Sequence, residues 1–284
     1  MIDQAFYTSA RTARLTGYQL VACSPGVAEA EARDLAVWGP SHDSLLASGS
    51  AAESINFHPL AGSRFAVSQT TPEGPEPSGR GGPRVYTQFL LVDRQTLTRF
   101  SNNPFAFWRA ALAQGAVGVL DDIAPLKSLE LAGHPSPFDE RLVGQVVREL
   151  GAGAVTAAVQ TVLREPQAGF AGKHGPRLMA AVINCLPIEC RLQFSLATGL
   201  RISSRRPFRW LCLSDDREEN RRLARRHSLA LVTGEQVEGD ECDGWAGHVH
   251  QLIASGRLAE LALSIKQAPA EVPGAASLLT NLQV

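Results

Sequence analysis

The most distinctive chemistry in this sequence is a run of arginines between positions 201 and 227. The run holds nine Arg, no Lys and four acidic residues, so it carries +5, whereas the rest of the chain carries −6. Arginine offers a planar fork of donors that matches a carboxylate or a phosphate group. We therefore predict that the run contacts an anionic partner. The candidate contact residues are Arg205, Arg206, Arg209, Arg221, Arg222, Arg225 and Arg226.

Two other interpretations of the run stay open. One is a solvated helix, because Glu218 and Arg222 have the spacing at which opposite charges pair on a helix surface. The other is a nucleic-acid site, because Phe208 and Trp210 could stack on bases. Alternation along a strand would put both rings on one face, which is more often a core face, so a protein partner is favoured.

A second candidate anion site is the loop around Ser78–Pro83. Its glycines do not form a dinucleotide motif, because that motif lies between a strand and a helix and Pro83 opposes a helix here. The loop could still present Arg80 and Arg84 to an anion. A flexible surface loop without a ligand is the simpler interpretation.

No complete catalytic motif is found. The stretch Gly169–His174 lacks the spacing and the Ser or Thr of a phosphate loop, and no Gly-x-Ser-x-Gly motif is present. Cys185 shares an apolar helical stripe with Met179 and Val182, which indicates a buried and inert thiol. We therefore expect no cofactor and interpret the chain as non-enzymatic, with an enzyme of unrecognised site as an alternative.

The candidate metal ligands and the adjacent acidic residues are also weak indications of a functional site. On a helix, the rings of His248 and His250 would point to opposite sides, so these residues and Cys242 do not form a zinc set, and we expect no metal. The adjacent acids Asp121–Asp122 and Asp215–Asp216 are typical of solvated loops and helix caps. We predict that Asp215 or Asp216 caps the helix that follows.

The composition is that of an ordinary globular protein. Hydrophobic residues are 44% and charged residues 19% of 284 positions, which is too apolar for a disordered chain. The first residues lack the basic and apolar regions of a signal peptide, and no apolar run reaches the length of a bilayer. The five cysteines have no Cys-x-x-Cys pair, so we expect a cytoplasmic protein with buried or half-buried thiols and no membrane contact.

The elements that must position these residues indicate an α+β fold. Strands are predicted over Gln4–Ser9, Gly17–Cys23 and Val85–Val92, and an exposed Pro- and Gly-rich loop over Thr70–Pro83. The second half shows helical periodicity, for example at Val143, Val146, Val147 and Leu150. We predict an N-terminal domain with a mixed sheet packed with helices at 1–132. A helix-rich α+β domain at 138–235 follows, and C-terminal helices and a loose tail at 236–284.

Several stretches are similar to one bacterial family. Asp3–Arg11, Gly17–Gly26, Val85–Val92 and Asn103–Phe105 resemble the N-terminal domain of GTPase-associated adaptor proteins. Leu186–Leu200 and Arg205–Arg209 resemble the middle domain of the same proteins, including uncharacterised members from planctomycete-like bacteria.

The resemblance implies a non-catalytic adaptor or scaffold of a bacterial conflict system, a defence-like function. It implies a protein partner, such as a GTPase encoded nearby, and it supplies no catalytic residues. The Arg-rich run at 201–226 would then be the surface that meets an acidic face of that partner. Nucleic acid remains the less favoured partner.

Overall fold

A computed structural model describes residues 1–12, 15–47, 52–76, 83–118, 125–133, 135–234 and 242–268. These ranges form two compact units. Unit 1 comprises Met1–Phe100, Pro104–Pro135 and Ser195–Phe208, and unit 2 comprises Ser101–Asn103, Ser136–Phe194 and Arg209–Val284. Residues 195–208 therefore pack with unit 1. The predicted bounds 1–132, 138–235 and 236–284 concern independent domains, and they stay a prediction.

The predicted α+β class is confirmed by the elements in the described ranges. The strands are β1 (Asp3–Arg11), β2 (Thr16–Cys23), β3 (Ser54–Pro59), β4 (Arg64–Pro75), β5 (Pro83–Asp93), β6 (Ala168–Phe170), β7 (Leu196–Ala197), β8 (Trp210–Cys212) and β9 (Ala230–Val232). The α-helices are α1 (Glu29–Trp38), α2 (Arg94–Arg99), α3 (Pro104–Ala113), α4 (Glu140–Leu150), α5 (Ala152–Arg164), α6 (Gly175–Cys185), α7 (Arg217–His227), α8 (Gly244–Ala254) and α9 (Leu258–Gln267). A 3₁₀ helix spans Ile188–Gln193.

Unit 1 is built on a sheet with the strand order β2-β1-β5-β4-β3-β7. Each of the pairs β1–β2, β1–β5, β4–β5, β3–β4 and β3–β7 is antiparallel. One face of this sheet carries Tyr7, Phe89 and Leu91, and Leu35 of α1 packs against them. Strand β2 lies at the edge of the sheet, so its outer side is open to neighbouring loops.

The prediction of an exposed loop over Thr70–Pro83 is wrong for its first part. Strand β4 continues to Pro75, and the Thr70 hydroxyl is buried 3.0 Å from that of Thr87 on β5. The register shifts between Pro72 and Pro75, where proline offers no N–H to the ladder. Proline at the end of an antiparallel pair is therefore compatible with a strand, and residues 77–82 lie outside the described ranges.

A cluster of buried charged side chains holds the first strand of unit 1 in place. Arg64 donates from Nη1 to Asp3 Oδ2 at 2.6 Å and from Nε to Glu31 Oε1 at 2.6 Å, with a further contact to Glu31 Oε2. The hydroxyls of Ser24 and Ser128 donate to Asp3 Oδ1, each at 2.8 Å. Burial alone would raise the pKa of Asp3 and Glu31, but hydrogen bonds from Arg64 and its neighbours lower the pKa of both carboxyls. The cluster therefore joins β1, α1 and β4 by ionised groups.

We expect this cluster to make unit 1 sensitive to acid. Folding lowers the pKa of Asp3 and Glu31 below their ordinary values of 3.8 and 4.5. The cluster therefore contributes its full stabilisation above those values. This contribution is lost as pH falls through the pKa values that the two carboxyls have in the folded protein. Arg64→Met should reduce the free energy of unfolding by about 3 kcal/mol at pH 7 and by clearly less at pH 3, measured by urea titration. Arg33→Met, at an exposed Arg on α1, is the control and should cost under about 0.5 kcal/mol. An equal loss for Arg64→Met at both pH values would contradict the role of ionisation.

Unit 2 contains a small parallel sheet in the order β8-β6-β9. The central strand β6 pairs in parallel with β8 and with β9, and Ala168, Phe170 and Trp210 are fully buried. Helix α7 connects β8 to β9. Helix α5 packs against α4, α6 and α8, which gives unit 2 a helical layer around its sheet.

A fully buried arginine stabilises the end of helix α6 in unit 2. Arg191 donates to the carbonyl oxygens of Asn184 and Leu186 at 3.1 Å each, which are at the C-terminal end of α6. It also donates to Ser101 O at 2.9 Å and to Pro137 O at 3.0 Å. Burial lowers the pKa of Arg191 to about 10, so the group is still protonated near neutral pH. One cation thus satisfies four carbonyls and meets the negative end of the helix dipole.

Replacement of Arg191 should strongly destabilise unit 2. Arg191→Met would leave four buried carbonyls without their donor, and we expect a loss of about 4 kcal/mol in the free energy of unfolding. Arg191→Lys retains the charge but has fewer and less well-directed donors, so its loss should be smaller. Urea titration followed by circular dichroism measures both. The exposed Arg148→Met on α4 is the control. A cost for Arg191→Met as small as that of the control would contradict this role.

Within the described ranges, no single helix combines the length and the apolar character that crossing a bilayer requires. Helices α4 and α5 meet those criteria only as a pair, and they are bent by 110° where they join.

Candidate anion-binding surfaces

The arginines predicted as one surface are divided between the two units. Arg205 and Arg206 belong to unit 1, whereas Arg209 and the four candidate arginines of α7 belong to unit 2. Each group therefore needs its own assessment. Sequence position alone suggested one continuous basic surface.

Arg209 makes structural contacts inside unit 2. Its Nε donates to Pro166 O at 3.1 Å and its Nη1 donates to Gln193 O at 3.2 Å. The guanidinium lies 4.6 Å from the centre of the Phe194 ring, a cation–π distance. Burial lowers the pKa of this guanidinium. Arg209 is therefore engaged in structural contacts within unit 2.

Helix α7 presents arginines to solvent. Asp216 caps the helix by accepting from the N–H groups of Glu218 and Glu219, each at 2.9 Å, so the predicted cap is confirmed. Only Asn220 of the helix is buried. We define the α7 arginine face by four exposed residues. They are Arg221, Arg222, Arg225 and Arg226.

The α7 arginine face is not neutralised by the described part of the chain. In the described ranges none of its four guanidinium groups forms an ion pair, and the Glu218–Arg222 pair expected from their spacing is not formed. Arg221 and Arg225 are four residues apart, as are Arg222 and Arg226, so each pair carries like charges on one side of the helix. This face can therefore offer several guanidinium groups at once to an acidic surface.

Unit 1 contains a groove that sequence reasoning did not find. It has a volume of about 720 Å³ and lies between the start of β2, the end of α1 and the turn at 203–206. We call it the Tyr7 groove. Its lining includes Tyr7, Tyr18, Ser41, Ser44, Ser203, Arg205 and Arg206, together with the apolar Leu15 and Val37.

The charge of the Tyr7 groove comes from its two arginines. Arg205 is exposed, whereas Arg206 is 8% exposed and donates from Nη2 to Ser44 Oγ at 3.3 Å. Burial raises the pKa of Tyr7, although Arg206 and Arg205 oppose that shift, and burial raises the pKa of Tyr18 to about 12. Both phenols are therefore neutral near pH 7, and no acidic residue belongs to the described lining.

The weaker loop candidate has no assembled site in the described ranges. Arg84 donates from Nε to Glu73 O at 3.1 Å, which ties its side chain to strand β4. Arg80 lies outside the described residues, as do Asp121 and Asp122. The anion-binding loop of Arg80 and Arg84 therefore stays a prediction.

The Gly169–His174 stretch begins inside β6 and runs to the residue before α6, which is the strand-to-helix position of a phosphate loop. Its amides are engaged in other ways. Gly172 N donates to Ser214 O at 3.2 Å, and Gly175 N donates to Gly172 O at 2.9 Å. Pro176 provides no N–H at the start of α6. The Gly172 amide is therefore not available to hold a phosphate.

The candidate nucleophiles and metal ligands are not assembled in the described ranges. Cys185 is fully buried, and burial raises the pKa of its thiol to about 12. Cys190 and Cys212 are also buried, whereas Cys23 is exposed, contrary to the expectation of burial. His248 and His250 contact the hydroxyls of Ser264 and Thr156 at 3.0 and 3.2 Å. No group of three His, Cys, Asp or Glu side chains is placed to bind a metal in the described part of the chain.

Comparison with known proteins finds a family model that matches the N-terminal part of the chain. Residues 1–129 match the model of a family described as GTPase-associated protein 1, N-terminal domain type 2. The match covers β1–β5 and α1–α3, including the Asp3–Arg64–Glu31 cluster and most of the Tyr7 groove. No curated protein matches the chain. The resemblance of the first 129 residues noted in the sequence is confirmed, because these residues match the N-terminal domain, type 2, of GTPase-associated protein 1.

Proposed function

We propose that this protein is a non-enzymatic adaptor that binds an acidic face of a protein partner through the α7 arginine face. The family of residues 1–129 is GTPase-associated, which supports a GTPase-related partner. A bacterial conflict system is the setting that the resemblance implies. The α7 arginine face carries the proposal, because it is exposed and unpaired in the described ranges.

Helix stability does not explain all four arginines. Arg225 and Arg226 lie in the last turn of α7, where a cation gains about 0.3–1 kcal/mol from the helix dipole. Arg221 and Arg222 lie in the middle of the helix, where this gain is small. Each like-charged pair four residues apart costs about 0.2–0.5 kcal/mol. Helix stability therefore does not require Arg at both middle positions, since other good helix formers would serve, whereas contact with carboxylates would use them.

A protein partner fits this surface better than single-stranded nucleic acid. The aromatic residues near the arginines in sequence, Phe208 and Trp210, are 2% and 0% exposed. Neither ring is open to stacking, and stacking supplies much of the affinity of proteins for single strands. The α7 arginine face offers charge alone, which matches an acidic protein surface.

The proposal predicts that the α7 arginine face controls the affinity for the partner. The proposed partner is a GTPase encoded nearby, and the quadruple variant Arg221→Ala, Arg222→Ala, Arg225→Ala, Arg226→Ala should bind it about 10–100-fold more weakly at low salt. Alanine preserves the helix, so circular dichroism should be unchanged. Affinity measured by calorimetry at two salt concentrations tests this, and the difference between variants should shrink as salt rises.

A matched control removes the same charge elsewhere. Arg33, Arg109, Arg141 and Arg148 are exposed helical arginines outside α7, and their combined change to Ala should alter the affinity by less than about threefold. Equal weakening by both quadruple variants would indicate a bulk charge effect and would contradict a local surface. Absence of binding by the wild type at low salt would remove the basis of the proposal.

The alternative partner is tested with the same proteins. Fluorescence anisotropy with short DNA and RNA at low salt should show no binding that depends on the α7 arginine face. Tight, salt-sensitive binding to either nucleic acid that the quadruple variant loses would support a nucleic-acid partner and overturn the proposed one.

A further inference from the structure

The Tyr7 groove has no role in the proposed contact through α7. It lies in unit 1 and is shaped by four separate segments of the chain. Its basic wall is a tight turn in which Arg206 N donates to Ser203 O at 3.1 Å. This turn places Arg205 at its exposed third position and directs the buried Arg206 towards Ser44.

Several hydrogen-bond donors in the groove are unused. Arg206 is only 8% exposed, and its Nε is buried without a hydrogen-bond partner within the described ranges. A buried guanidinium N–H without an acceptor is costly, so an acceptor is expected there. The Arg205 guanidinium forms no hydrogen bond or ion pair with the described residues.

Serine hydroxyls add further donors. Ser44 Oγ accepts from Ser41 N at 3.0 Å and from Arg206 Nη2 at 3.3 Å. Ser203 Oγ accepts from Arg205 N at 3.3 Å. In the described ranges neither hydroxyl donates to an acceptor, so both protons are available to a ligand. The groove is therefore rich in donors and has no carboxylate in its described lining.

Another part of the groove lining is aromatic and apolar. The rings of Tyr7 and Tyr18 stack with their centres 6.0 Å apart. Leu15 and Val37 are 53% and 56% exposed, which is unusual for large apolar side chains in this protein. A ligand here would have an anionic group at the arginines and an apolar or aromatic part beside Leu15 and Tyr18.

We propose that the Tyr7 groove binds a phosphate monoester, with the phosphate held by Arg205 and Arg206 and its organic part against Tyr18 and Leu15. A phosphate monoester carries about −1.5 to −2 at pH 7 and three acceptor oxygens, which matches two guanidinium groups and two hydroxyls. A single carboxylate would leave one arginine uncompensated. The ester could be a free small molecule or a phosphorylated side chain, and the experiment below distinguishes these sources.

Calorimetry with phenyl phosphate is the direct test. Wild-type protein should bind phenyl phosphate and should not bind phenol, because the phosphate supplies the contacts to arginine. Arg205→Ala should weaken binding by about 10-fold or more, since charge-assisted hydrogen bonds are lost. Arg206→Lys should also weaken it, because lysine lacks the Nε–H donor. Arg225→Ala on α7 removes the same charge outside the groove and should leave the affinity unchanged.

The probes also distinguish the source of the phosphate. Adenosine monophosphate binding tighter than a short phosphoserine peptide indicates a small-molecule ligand, and the reverse order indicates a phosphorylated protein. Either order supports the proposal. If no phosphate monoester binds, if phenol binds equally well, or if Arg205→Ala has no effect, the proposal is overturned. Because Arg205 is exposed, the Arg205→Ala variant should fold, and it tests the proposal even if Arg206→Lys fails to fold. The α7 quadruple variant should retain phosphate binding, which separates this site from the proposed adaptor surface.

Discussion

Unit 2 depends on one buried cation that has carbonyl oxygens rather than a carboxylate as its partners. Arg191 is fully buried and reaches four backbone carbonyls from three separate stretches of unit 2. Desolvation of a guanidinium is costly, so this arrangement persists only because its donors are satisfied with good geometry. The end of helix α6 supplies two of the acceptors and a favourable dipole, which partly offsets that cost. Asn184 reinforces the arrangement, because its side chain accepts from Asp139 N at 2.9 Å at the start of α4.

Arginine has three distinct physical roles in this chain, and residue type alone does not separate them. Arg191 and Arg209 satisfy backbone carbonyls in unit 2, whereas Arg64 in unit 1 pairs with the carboxylates of Asp3 and Glu31. These side chains are engaged in contacts within their own units. The four residues of the α7 arginine face and Arg205 are exposed and have no such partners in the described ranges. Binding capacity is left over in this last group and at the unpaired Nε of Arg206, so unpaired charge is a better guide to function here than total charge.

The sequence predicted elements whose signal is local and missed features that join distant segments. The strand at Val85–Val92, the periodic helix at Val143–Leu150 and the Asp216 cap each follow from neighbouring residues, and all are present. The end of β4 was missed because its prolines suggested a loop, whereas they lie at the irregular end of the ladder with β5, where a missing N–H is tolerated. The Tyr7 groove was missed because Tyr7, Ser44 and Arg206 are far apart in sequence. No spacing rule could have connected them.

The division of the Arg-rich run between two units changes how its charge should be interpreted. In sequence the run is one block of +5, and such a block suggests one extended basic surface. In the structure, Arg205 and Arg206 line a groove with tyrosines, Arg209 holds internal carbonyls, and four arginines form one side of a helix. A groove with buried donors selects a small anion by geometry, whereas an exposed helix face attracts an extended acidic surface mainly by charge. Salt should therefore weaken the second kind of contact much more than the first, because buried charges are screened less than exposed ones.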